Sequence, residues 1–213
     1  MPTFQTPEPI SVAVDVPSGN VQVIASDRTD TVVEILPTNP AKKADVRAAE
    51  QAQIDFAAGT LTVQTPKDWR SYGPLGGTPS IEVTIEVPNG SALKATAALG
   101  RLLVTGELGD CDLEVSAGDI AVERPHGSVT AKTAKGNIRV SEAARGVLRL
   151  ETSVGELEVG IRPGSAARLE TNALSGTVQN LMAPFDGSAD NVETVQVYAR
   201  NSFGNIIIHN TAA

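Results

Sequence analysis

Gly118-Asp119-Ile120-Ala121-Val122 and Gly136-Asn137-Ile138-Arg139-Val140 carry one pattern: a glycine, an apolar residue two places on, and a valine four places on. Gly100-Arg101-Leu102-Leu103-Val104 precedes them and Gly155-Glu156-Leu157-Glu158-Val159 follows, so the glycines stand 18, 18 and 19 residues apart. A fixed period of this length marks stacked structural units, each too small to bury its apolar face alone. A second series alternates with the first: Leu93-Lys94-Ala95-Thr96-Ala97, Leu113-Glu114-Val115-Ser116-Ala117, Val129-Thr130-Ala131-Lys132-Thr133, Leu148-Arg149-Leu150-Glu151-Thr152 and Ala167-Arg168-Leu169-Glu170-Thr171. Apolar and polar residues in strict alternation over about five positions make a half-buried strand. Each unit therefore reads strand, turn, strand, turn, with no segment long enough for a crossover helix.

The simplest arrangement is all-β: a single-chain parallel β-solenoid of about 18-residue coils, in which each strand pairs with its equivalent one coil later. Inward positions then form ladders, Leu102, Ile120, Ile138, Leu157 beside Val104, Val122, Val140, Val159, with Leu93, Leu113, Val129, Leu148 and Leu169 from the second series. Glycine suits the corners, where the chain turns sharply and φ is often positive. An antiparallel sandwich of short hairpins is the competing arrangement.

Residues 1–90 are less regular and read as a β region that caps the solenoid, with residues 91–213 as its coils and an irregular C-terminal end. Ile10–Val16, Val21–Ile24 and Thr31–Leu36 are strand candidates in the first part. Asn39 as N-cap and Pro40 as first helical residue predict one short helix over 40–52. Its apolar face is thin, as befits an element that covers a flank. A loop over 66–79 holds the one tryptophan, Trp69, and Tyr72. Long loops carrying aromatics are candidate contact surfaces. Ile81–Val87 alternates strongly and leads into the array.

Composition narrows the function. The 213 residues carry a net charge of −8 and only 3% aromatics. That disfavours nucleic acid, which leans on basic surfaces, and offers few platforms for stacking bases or sugars. No apolar run reaches 18 residues and the N-terminus lacks a leader pattern, so the expectation is a cytoplasmic protein without membrane insertion. The single cysteine, Cys111, lies between Asp110 and Asp112, which disfavours a thiolate. His126 and His209 stand far apart, and no phosphate-binding glycine loop, nucleophile elbow or metal-ligand spacing occurs. Asp110, Asp112 and Glu114 share a face. The expected pairing sets Glu114 beside Lys94 and Lys132 beside Glu151, ordinary cross-strand pairs rather than an acid/base site. Neither catalytic residues nor a cofactor are expected.

The Gly-x-(Ile/Leu)-x-Val repeats, the segment Ile81-Glu82-Val83-Thr84-Ile85-Glu86-Val87-Pro88 leading into them and the helix around Lys43-Ala44-Asp45-Val46-Arg47 resemble a bacterial β-strand-repeat family of unknown function labelled "putative adhesin". The resemblance spans residues 8–209. It implies a β-solenoid, no established chemistry and no catalytic residues. The leading expectation is thus a non-catalytic scaffold or protein-interaction module. A surface-displayed module binding protein or glycan and a carbohydrate-active solenoid enzyme are the alternatives. Self-association is expected at the C-terminal strand. There Ile206 and Ile208 lie on one face and Ile207 on the other, so an uncovered edge would favour a homodimer or strand addition.

Overall fold

The computed structural model describes residues 1–65, 78–182 and 193–211. Strand β1 (Thr3–Gln5) is followed by the long β2 (Ser11–Ser26), β3 (Asp30–Pro37), the single helix α1 (Lys43–Glu50), β4 (Gln53–Ala57), β5 (Thr60–Gln64) and β6 (Ile81–Pro88). The regular array comprises β7 (Ala92–Leu99), β8 (Leu102–Leu108), β9 (Cys111–Ala117), β10 (Ile120–Pro125), β11 (Val129–Lys135), β12 (Ile138–Ala143), β13 (Gly146–Val154) and β14 (Leu157–Ile161). The chain ends with β15 (Ala166–Ser175), β16 (Val178–Asn180), β17 (Thr194–Phe203) and β18 (Ile206–Asn210). These strands coil into a parallel β-solenoid whose two sheets face each other across one apolar core. Sheet A carries the Gly-x-(Ile/Leu)-x-Val series and sheet B the alternating series, so the antiparallel sandwich is excluded.

The ladder of sheet A is as the period predicts. Leu102, Ile120, Ile138 and Leu157 stack in register, as do Val104, Val122, Val140 and Val159, all at most 1% exposed. Sheet B requires a correction. Leu93 pairs with Cys111, not with Leu113; Cys111 continues to Val129, and Val129 to Leu148. Leu113 instead aligns with Ala95 and Ala131. The physical reason is the coil length. Leu93 to Cys111 and Cys111 to Val129 are both 18 residues, the period of the glycines, and a buried thiol packs as a small apolar group. The shift also places Lys94 beside Asp112, at 3.4 Å, where Glu114 was expected. Lys132 lies beside both Glu114 and Glu151.

The corners are glycines with positive φ, 146° at Gly118 and 149° at Gly136. A Cβ at Gly136 would collide with the carbonyl of Gly118 in the next coil, so the backbones touch where side chains would otherwise separate them. Each corner is tied down twice. Thr133 Oγ1 donates to the Gly118 carbonyl at 3.1 Å and Thr152 Oγ1 to that of Gly136 at 2.9 Å. One residue on, Asp119 accepts the Asn137 N–H and Asn137 accepts the Glu156 N–H, both at 2.8 Å, an Asx ladder along the corner.

The coils do not stack in chain order at either end. The two halves of β2 sit between the β5/β6 coil and the β7/β8 coil. At the other end β17 lies between β13 and β15, and β18 between β14 and β16. The chain places its last described coil inside its penultimate one. Antiparallel β3, β1 and β4 flank the N-terminal end. Helix α1 lies against β3 and β6. The helix is shorter than the expected 40–52. Asn39 spends its side chain on the Ala41 N–H, 3.0 Å away, in a turn that precedes the helix, so Lys42 becomes the N-cap.

Candidate functional site

Alternation sends every second residue of sheet B to the outer face. The register lines these into two rows across the strands. One row runs Lys94, Asp112, Thr130, Arg149, Tyr198 and Glu170; the other runs Thr96, Glu114, Lys132, Glu151, Arg200 and Asn172. In the second row charges alternate in sign from Glu114 to Arg200. In the first, the Arg149 guanidinium stands 5.3 Å from the centre of the Tyr198 ring, within cation–π range. The Tyr198 hydroxyl donates to Gln196 Oε1 at 3.4 Å.

Among the described residues, three of the shallow cavities lie side by side along this face. One of about 530 Å³ is lined by Ser11, Lys94, Asp110, Asp112, Ser128 and Thr130. One of about 280 Å³ lies among Thr130, Lys132, Arg149, Glu151, Tyr198 and Arg200. A third, also about 280 Å³, adjoins Asp15, Thr62, Gln64, Lys94 and Thr96. Lys94 and Thr130 are shared between neighbours, so the three form one shallow trough. Its described lining offers guanidinium and ammonium donors, carboxylate acceptors and the ring of Tyr198.

Of the carboxylates singled out in the sequence, Asp110 and Asp112 are engaged structurally and Glu114 lies beside Lys132 in the register. Asp110 Oδ1 accepts the Ser128 N–H at 2.8 Å, and Asp112 pairs with Lys94. Among the described residues no three His, Cys, Asp or Glu side chains gather to hold a metal ion. Cys111 is 3% exposed, and burial, followed by the Asp110 charge, pushes its thiol up to about 12. His126 stands 3.8 Å from Glu107 and His209 3.2 Å from Glu158, each apart from the trough.

Of the residues expected to form a contact surface, Trp69 and Tyr72 lie outside the described residues. Ile206 and Ile208 are 0% exposed, in the core between Leu157 and Val178 and beside Val159. Ile207 is half-buried, flanked by Glu158 and Gln179. The expectation of an open edge at β18 is thereby corrected, because β16 covers that edge. The trough was missed for the same reason. Arg149 meets Tyr198 only because β17 inserts beside β13, which spacing along the chain does not reveal.

Fold and face together define a β-solenoid whose sheet B carries charged rows and one tyrosine on its outer face. No protein-family model and no curated protein matches the chain. Solved structures do. A "putative cell adhesion protein" from Clostridium sporogenes is similar over 98% of both chains, with a TM-score of 0.58 at 12% identity. A "putative adhesin" from Bacteroides fragilis is similar over 97% of this chain and 95% of its own, at a TM-score of 0.44 and 12% identity. A "putative adhesin" from Parabacteroides distasonis gives 0.39 at 14% identity, with the same coverage. At 12% identity, what this chain shares with the Clostridium sporogenes protein is the fold. Among the described residues no helix is long and apolar enough to cross a membrane.

Proposed function

We propose that this chain is a non-catalytic recognition module that holds a protein partner on the outer face of sheet B. The observation that carries the reading is the Arg149–Tyr198 pair, set with Lys132, Glu151 and Arg200 around one cavity. Arginine and tyrosine are the side chains most often found at binding hot spots, and charges of alternating sign fix the orientation of a partner more than they add affinity. Arg149→Glu with Tyr198→Ala should abolish capture of the partner while leaving the thermal melt unchanged. A variant on the opposite face, Arg139→Glu, should capture it as the unaltered chain does. Equal capture by all three would overturn the assignment. A second reading, an adhesin-like module displayed at the cell surface and binding protein or glycan, draws on the name of the Clostridium sporogenes protein of the same fold. Cell fractionation separates the two, since the first expects the chain in the cytoplasm.

A further inference from the structure

The inserted final coil leaves β15 and β16 as the last strands of the C-terminal end. Each is paired on one side only among the described residues. Among the described residues this end differs from the other, where antiparallel strands and α1 lie over the stack. It is also apolar: Leu174 is 78%, Val178 44% and Leu181 63% exposed. A ten-residue strand edge flanked by exposed leucines is a template for another strand.

The sequence of β15 selects which strand. Ala166 gives its N–H inward, to the Glu193 carbonyl at 2.9 Å. By the alternation of a strand, the N–H and C=O groups of Ala167, Leu169, Thr171 and Ala173 then face outward. Arg168 and Glu170 lie on the outer face, exposed, and their neighbours on β17 are the uncharged Gln196 and Tyr198. An antiparallel copy of the same strand, placed about a two-fold axis at Leu169, sets Leu169 opposite itself and Ala167 opposite Thr171, with outward groups meeting. Arg168 of each copy then faces Glu170 of the other. These are non-hydrogen-bonded positions, where facing side chains approach most closely. Moving the axis by one residue sets Glu170 against Glu170, or Arg168 against Arg168. Only one of these registers matches the charges, and it is self-complementary, as a two-fold interface must be.

We propose that the chain forms an end-to-end homodimer by antiparallel pairing of β15 with β15 of a second copy, centred on Leu169 and locked by reciprocal Arg168–Glu170 pairs. Arg168 and Glu170 stand at the margin of the same outer face, Glu170 next to Tyr198, but line none of the cavities of the trough, so the two readings are tested by different substitutions. The test is size-exclusion chromatography with light scattering on the full chain at high micromolar concentration. The unaltered chain should run as a dimer. Arg168→Glu and Glu170→Arg, each with an unchanged melt, should each self-associate about tenfold more weakly, because attraction turns to repulsion at both pairs. Mixed in equal amounts, the two variants should recover the dimer, since the two glutamates of one variant then face the two arginines of the other. A monomeric unaltered chain, a dimer indifferent to either substitution, or a mixture that stays monomeric would each overturn the proposal.

Discussion

Cys111 takes a place in a column otherwise filled by Leu93, Val129 and Leu148. Its thiol is held neutral there, raised from its ordinary 9.0 to about 12 by burial and then by Asp110. A group whose folded pKa is raised favours the folded state while it stays protonated. The unfolded thiol ionises first, so this contribution declines as pH climbs from 9.0 towards 12. Accordingly, a thiol-reactive dye at neutral pH should label Cys111 only as fast as the chain opens; rapid labelling of the folded chain would place the side chain outside the core. Ile138, 0% exposed between Ile120 and Leu157, has no room to relax. Ile138→Ala should cost about 2–5 kcal/mol in a denaturant melt. At the corner, Gly136→Val combines a left-handed φ with a collision against backbone, whereas Thr130→Val lies on the half-open face. The first should lower the melting temperature far more than the second, and equal tolerance would remove the corner argument.

Helix α1 is a marginal element, eight residues long, and small apolar side chains alone would hold it poorly. Its anchor is Asp45, 2% exposed, which accepts the Ser80 N–H at 3.0 Å and pairs with Lys42 at the same distance. Burial pushes this carboxyl up, but the Lys42 ammonium and the Ser80 amide outweigh it and hold the group below its ordinary 3.8. With a depressed folded pKa, the stabilisation is present above the unfolded value and is lost as pH falls through the folded one. Asp45→Asn should cost about 1–3 kcal/mol at neutral pH, shrinking under acid conditions where both chains carry a neutral group. A constant difference across that range would mean that charge plays no part. The helix itself was legible from Asn39 and its alanines, while its start was not, because Asn39 had a nearer amide to satisfy. The ladders of sheet A were legible, since valine and isoleucine repeat at the glycine period, though the strands run on past the motif to Leu108, Pro125 and Ala143. Sheet B slipped at Leu113 because hydropathy alone favours a leucine over a cysteine flanked by aspartates.

At the scale of the molecule, the period conveys that coils stack but not in which order. Every coil offers much the same ladder, so β15 would fit against β13 about as well as β17 does: Leu169 and Val197 are alternatives opposite Leu148. The order observed brings Tyr198 to Arg149, moves the free edge from Ile206–Ile208 to Ala166–Ser175, and so decides both the trough and the end. None of this is written in local spacing. The inserted coil also bears on how the fold is reached during synthesis. Residues 166–180 leave the ribosome before 194–210 and find the β13/β14 coil vacant, with matching rows to dock on. If they dock there first, the later segment must wedge between and displace one ladder to make two, and this end would then mature by an exchange of strands rather than an addition. Refolding should show a late phase, seen by hydrogen exchange at β13 and β17 after β9–β12 are already protected. Simultaneous protection of all six strands would mean that the wedge closes in a single step.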